Sequence, residues 1–241
     1  MPATLPPGTE LPSTLMGAGW RGRAASHAEE IAEGRIWRPY GVRSAFAPLT
    51  AVLLTWPGDE LAYDAPPNDM LMARRPDLSL MRVQAESIAA AYAAAGAAVH
   101  LIRPTANAPP NLVFACDLFF MTPEGAILGR MAAEQRAAEP RLCAAALAEV
   151  GVALLATPRG RATFEGADAL WLAPDRVLVG VGKRTNEAGF QLVRAVLAEM
   201  GVTALAVDLP STVQHLLGCV NPIDHDLVVS QIGRASCRER V

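Results

Sequence analysis

A chain of 241 residues with 51% hydrophobic content is long enough to bury a sizeable core, as one large domain or two small ones. Its net charge of -3 supplies no basic field for nucleic acid or for an acidic membrane surface. No apolar run reaches the roughly 18 residues of a membrane span, and Cys116, Cys143, Cys219 and Cys237 show neither CxxC nor metal-ligand spacing. The simplest expectation is a reduced, cytoplasmic setting.

Residues 1–26 mix Pro, Gly, Ser and Thr without periodicity and read as a mobile arm. A short helix is expected over 27–38 and a first strand over 51–56, stopped by Pro57-Gly58. Residues 59–76 are loop-like, with Pro66-Pro67 and Asn68. A repeat then sets in. Helices over 78–95, 139–150 and 187–200 each end at a glycine (Gly96, Gly151, Gly201), and strands over 98–102, 152–156 and 202–207 follow. The second and third junctions read Leu-Ala-Glu-Val-Gly-Val and Leu-Ala-Glu-Met-Gly-Val. Between copies lie strand-like runs at 112–115, 118–121, 126–128, 169–172 and 177–181. A unit of about 50 residues, made of strands plus one helix, predicts a repeated α/β architecture arranged around an axis. A plain doubly wound sheet would not place two or three strands between helices. Further strand-like runs fall at 215–217 and 227–229. Residues 231–241 carry three arginines and no apolar pattern, resemble a translated cloning remnant, and are set apart from the domain expected over 27–230.

Polar residues cluster at the loop ends of these units. Glu165 and Asp168 flank Gly166-Ala167 where the chain enters an apolar run, and acids at a core boundary need partners. Asp117 stands between two apolar runs, Arg136 just ahead of the second repeat helix, Arg184 and Asn186 at a strand-to-helix turn, and His215 beyond Pro210. If the units share an axis, these ends converge. Buried carboxylates (Asp117, Glu165, Asp168) suit a planar guanidinium, two arginines (Arg136, Arg184) suit a carboxylate, and a histidine moves protons near neutral pH. A ligand with both ends is an arginine-like amino acid. Each residue also has a plainer structural reading: Asp117 as a turn cap, Glu165 with Asp168 as a turn, Arg136 as a solvated helix shoulder, Arg184 with Asn186 as a helix cap, His215 as a structural histidine. Cys143 and Cys219 read as core. The stretch 180–185 with Asp208 imitates a dinucleotide fingerprint, but Thr185 stands where its third glycine belongs and no opening βαβ unit supports it.

Taken in order, Asn111-Leu-Val-Phe-x-x-Asp117, Arg136, Phe164-Glu-Gly-x-Asp168, Arg184-Thr-Asn186 and His215-Leu resemble the guanidine-modifying superfamily of arginine deiminases, amidinotransferases and dimethylarginine dimethylaminohydrolases. The resemblance runs from about residue 49 to 229 and implies the pentein fold, a five-bladed α/β propeller of ββαβ units with about four of the five represented here. It implies a hydrolase of C–N bonds in guanidino compounds, with an amidinotransferase or a non-catalytic guanidino binder as alternatives. In that reading Asp117 binds the guanidinium, Arg136 and Arg184 hold the substrate carboxylate, Glu165 orients the general acid/base His215, Asp168 supports the site and Asn111 lies at its edge. The partner is a small guanidino substrate. No cofactor, metal, nucleic acid or membrane is implied, and a homodimer is allowed. Leu217 stands where deiminases and amidinotransferases carry a second Asp, which favours the dimethylargininase branch. Cys116 stands where that branch commonly has an acid. The family nucleophile is a cysteine late in the chain. Cys237 follows His215 too soon to match it, so the expectation is a chain lacking both the fifth unit and the nucleophile, and inactive as written.

Overall fold

The computed structural model describes residues 10–230. Helix α1 (His27–Glu33) opens on a capping box: the Ser26 side chain accepts from the Glu29 amide, and Glu29 reaches back to the Ser26 amide. These bonds satisfy donors that a first helical turn leaves free. Gly34, at φ 67, stops the helix earlier than the expected 27–38.

Strand β1 (Ala51–Thr55) leads through helix α2 (Leu78–Ala94) to β2 (Ala98–Ile102), and the two strands pair in parallel with Ala51 opposite Ala98. One pattern then occurs twice. Strands β3 (Phe119–Thr122) and β4 (Gly125–Leu128) form an antiparallel hairpin, helix α3 (Glu139–Glu149) crosses back, and β5 (Leu154–Ala156) lies parallel to β4. Strands β6 (Ala169–Ala173) and β7 (Arg176–Val181), helix α4 (Glu187–Glu199) and β8 (Thr203–Asp208) do the same. A last antiparallel hairpin joins β9 (Val220–Pro222) to β10 (Val228–Ser230). The sheets are thus mixed and the class is α/β. Parallel neighbours require a crossover, and the helices supply it. Gly96, Gly151 and Gly201 follow their helices at φ 88, 82 and 70, the left-handed backbone expected of helix-ending glycines.

Two strand expectations are corrected. Residues 112–115 run from one 3-10 turn, Pro110–Val113, through Phe114 into another, Ala115–Asp117, because Pro109 and Pro110 fix a turn and withhold ladder donors. Residues 215–217 lead into a third such turn, Leu216–Gly218, and the strand begins only at Val220. The tail expected over 231–241 lies outside the described residues, as do the first nine residues of the expected arm.

Each unit is cemented to its neighbour. Ile102 of β2 packs with Leu118, Leu128, Cys143 and Leu147 of the next unit. Phe120 and Ile127 pack in turn with Trp171, Val179 and Val193 of the one after. The turn before each hairpin occupies the same place: Ala115–Asp117 before β3, Gly166–Asp168 before β6, Leu216–Gly218 before β9. These turns lie against one another. A Cβ on Gly166 would sit 2.0 Å from the Phe119 carbonyl oxygen and 2.7 Å from that of Cys116. Only glycine permits that approach.

Candidate active site

The three turns and the β7–α4 junction bring Asp117, Glu165, Asp168, Arg184 and His215 together. A cleft of about 620 Å³ lies over them, lined among others by Asn111, Asp117, Arg136, Arg184, His215 and Cys219. Glu165 is the hub and is fully buried. Its Oε2 lies 2.7 Å from His215 Nε2. Its Oε1 accepts from the Ala132 amide at 3.1 Å and stands 3.5 Å from Arg184 Nη1. Burial opposes the Glu165 charge, but His215, the Ala132 amide and Arg184 outweigh it and hold the carboxyl below its ordinary value. Burial likewise opposes a charged His215, yet the bond to Glu165 and the charges of Asp117 and Asp168 keep its pKa above 6.5. His215 Nδ1 looks across 3.9 Å to Asp117 Oδ1.

Asp117 is pinned from behind. Arg136 Nη1 donates to its Oδ2 at 2.5 Å, while Arg136 Nε and Nη2 go to Glu139 at 2.9 and 2.7 Å. Arg136 is 3% exposed, so the solvated helix shoulder is corrected: this guanidinium faces inward, and its bonds are with the protein's own carboxylates. Asp168 is 0% exposed and does not line the cleft. It accepts from Thr185 Oγ1 at 2.7 Å and from the Leu216 amide at 3.1 Å, so it fixes the turn that carries His215 rather than facing a ligand. Burial pushes its carboxyl up to about 6. Asn111 is 2% exposed and donates to the Met70 carbonyl at 2.7 Å, tying residues 67–70 to the cleft rim. Asn186 is the cap of α4, accepting from the Gly189 amide at 2.9 Å.

The dinucleotide imitation fails on geometry. A Cβ on Gly180 would meet the Leu209 side chain at 2.7 Å, and the Thr185 hydroxyl is spent on Asp168. Two contributors escaped the sequence reading. Thr185 also accepts from the Glu165 amide at 3.1 Å, and Glu139 is fully buried against Arg136. The spacing Arg136-x-x-Glu139 at a helix entrance was the available signal for the second.

Asp117, Glu165 and His215 offer ligand atoms within 4.8 Å of one another. The guanidinium groups of Arg136 and Arg184 already reach carboxylate oxygens of this set, Arg136 on Asp117 and Arg184 beside Glu165.

A family model described as arginine deiminase matches residues 70–234, more than half of the chain. The chain belongs to the arginine deiminase family. Among the relatives of this family member is N(G),N(G)-dimethylarginine dimethylaminohydrolase of Streptomyces coelicolor, 33% identical over 125 residues, 51% of this chain and 46% of the relative. The Mycobacterium tuberculosis protein of the same name is 30% identical over 132 residues, 55% of this chain and 42% of the relative. The matched part is thus about half the length of those relatives. Among solved structures, a dimethylarginine dimethylaminohydrolase mutant from Pseudomonas aeruginosa complexed with citrulline superposes with a TM-score of 0.65 at 20% identity, over 76% of this chain and 69% of that one. The substrate-bound N-terminal domain of ArgZ, a cyanobacterial arginine dihydrolase, gives 0.62 at 19%, over 74% and 65%. These likenesses place the family member's fold among the penteins. Among the described residues no helix is long and apolar enough to cross a membrane.

Proposed function

We propose that the cleft receives an arginine-like ligand and that the site is built to hydrolyse a C–N bond of its guanidino group. One observation carries this reading: Asp117 and a Glu165-held His215 meet 3.9 Å apart beneath the cleft, with Arg184 at its side. In this reading the guanidinium lies against Asp117, and the ligand carboxylate lies toward Arg184. Arg136 and Asp168 act from behind, by holding Asp117 and the His215 turn. A thiolate adds to the guanidinium carbon. The C–N bond breaks as His215 gives its proton to the departing amine. Water then adds, returning a proton to His215, and the C–S bond breaks to release a ureido product of the citrulline type. Glu165 keeps the imidazole oriented and favours its charged form.

None of the described cysteines is suited to that attack. Cys116 is exposed, and its thiol lies 3.5 Å from Asp117 Oδ1, whose charge opposes a thiolate there. Cys143 is in the core, pushed up by burial to about 12. Cys219 lines the cleft, and among the described residues the His215 side chain bonds Glu165 rather than this thiol. Cys237 lies outside the described residues. We therefore propose that the chain as written binds its ligand without turning it over. With Cys116 beside Asp117 in place of an acid, and Leu217 in place of a second carboxylate, the preferred ligand is a guanidino amino acid held by one carboxylate.

We also propose that the repeated units are blades of a pentein-type propeller, about four of them represented among the described residues. Supporting this, among the described residues β1 has no antiparallel partner such as β4 and β7 have. An apolar groove of about 610 Å³ runs beside β1.

The test is calorimetric titration of L-arginine, its N-methylated forms and citrulline into this chain and into Asp117→Asn, with citrulline release followed in parallel. Binding by the parent that weakens about tenfold or more in the variant is expected. A folded parent that binds no guanidino compound would sink the reading. Citrulline release by this chain would overturn the assignment of its cysteines.

A further inference from the structure

Glu139 has no part in the reaction above, yet it is among the most deeply buried charged groups of the chain, at 0% exposure on the first turn of α3. Both its oxygens accept from Arg136, at 3.1 and 2.9 Å from Nε and 2.7 Å from Nη2. A guanidinium presents two edges to carboxylates, one through Nε and one through its terminal nitrogens. With the Nε edge taken, Arg136 gives Asp117 a single bond, from Nη1 to Oδ2 at 2.5 Å. Its Nη2 makes a further long contact, 3.4 Å, with the Asn111 carbonyl. The other Asp117 oxygen, Oδ1, accepts from the Cys116 thiol at 3.5 Å and faces His215 Nδ1 at 3.9 Å.

We propose that Glu139 is a positioning residue. By holding the Nε edge of Arg136 it limits that guanidinium to one Asp117 oxygen and keeps the other turned to the cleft and to His215. Without Glu139 the Arg136 fork is free to swing onto both oxygens of Asp117, and the cleft loses its anionic floor. Stability is a weak reason for such a pair, because packed apolar residues commonly replace a buried ion pair without loss. The consequence for a bound guanidinium rests on the function proposed above; the consequence for Asp117 and His215 does not.

The experiment uses the 241-residue chain with Glu139→Gln and Glu139→Met. His215 is titrated by NMR without ligand, unfolding midpoints are recorded, and L-arginine affinity is measured by calorimetry. The charged groups around His215 are Glu165, Asp117 and Asp168, with Arg136 and Arg184 beyond them. Drawing Asp117 onto Arg136 weakens its support of the imidazolium, so the His215 midpoint is expected to fall in both variants while the fold holds. L-arginine affinity is expected to drop about tenfold. An unchanged His215 midpoint in a folded variant overturns the proposal. If neither variant folds, the parent chain decides. An Arg136 Nε–H protected from exchange, with its two terminal nitrogens resolved, supports the clamp; rapid exchange of that proton overturns it. A parent that ignores L-arginine, with a lowered His215 midpoint in Glu139→Gln, retires the guanidino reading and supports the positioning role.

Discussion

His215 sits where burial and charge oppose each other, and its neighbours decide the outcome. The Glu165 contact at 2.7 Å is the largest of the effects that raise its pKa. Replacing Glu165 by Gln is expected to bring the His215 titration midpoint down toward or below the ordinary 6.5, read by NMR of the ring protons. A midpoint that stays above it would mean that Asp117 and Asp168 suffice. Thr185 serves both acids, donating to Asp168 and accepting from the Glu165 amide. Thr185→Val leaves two buried groups unpaired, at about 1–3 kcal/mol each in urea unfolding, whereas Thr185→Ser is expected to stay close to the parent. An equal loss in both would point to packing of the methyl group instead. The acids of this network were legible in the sequence because charge at a core boundary demands partners. Thr185 was not, since a hydroxyl at a strand-to-helix turn reads equally well as a cap.

The repeat was legible for a different reason: a glycine ending each helix, followed by an apolar strand, leaves a periodic mark that needs no contacts to be seen. The turns between were not. Residues 112–115 are apolar enough for a strand, but Pro109 and Pro110 make them a turn, and it is this turn that carries the chain to Asp117. Strand β9, Val220–Pro222, holds an asparagine and a proline, so its strand character comes from pairing with β10 rather than from propensity. The Gly166 turn is the tightest of these junctions. Gly166→Ala drives a methyl into the Phe119 carbonyl oxygen and is expected to cost about 1–3 kcal/mol or more in urea unfolding. Because the turn must shift to make room, His215 would lose its alignment with Glu165. A variant as stable as the parent would show that the turn can move away freely.

Across the whole molecule, burial gives the site a pH signature. Asp168 is raised from 3.8 to about 6, by burial first. It holds its proton more tightly folded than unfolded, so the stability it contributes is present below its ordinary value and lost as the pH rises through its folded one. His215, raised above 6.5, acts in the same direction at higher pH. Glu165 is lowered, so its contribution is present above 4.5 and lost as the pH falls. The unfolding midpoint is therefore expected to peak near about pH 5 and to decline toward about pH 8. A midpoint that climbs steadily over that range would show that surface charges, not this network, govern stability.

The two complete units pair strands that are near neighbours along the chain, so each sheet can close without the others. The cleft cannot. Its parts come from three successive turns, and the Leu216 amide on Asp168 is a bond between two of them. Sub-global opening is then the natural excursion of this protein: the turns part while the sheets persist. In hydrogen exchange the β7 and β8 amides should outlast the Leu216 amide, and a ligand bridging the turns should slow Leu216 before it changes the exchange of either sheet.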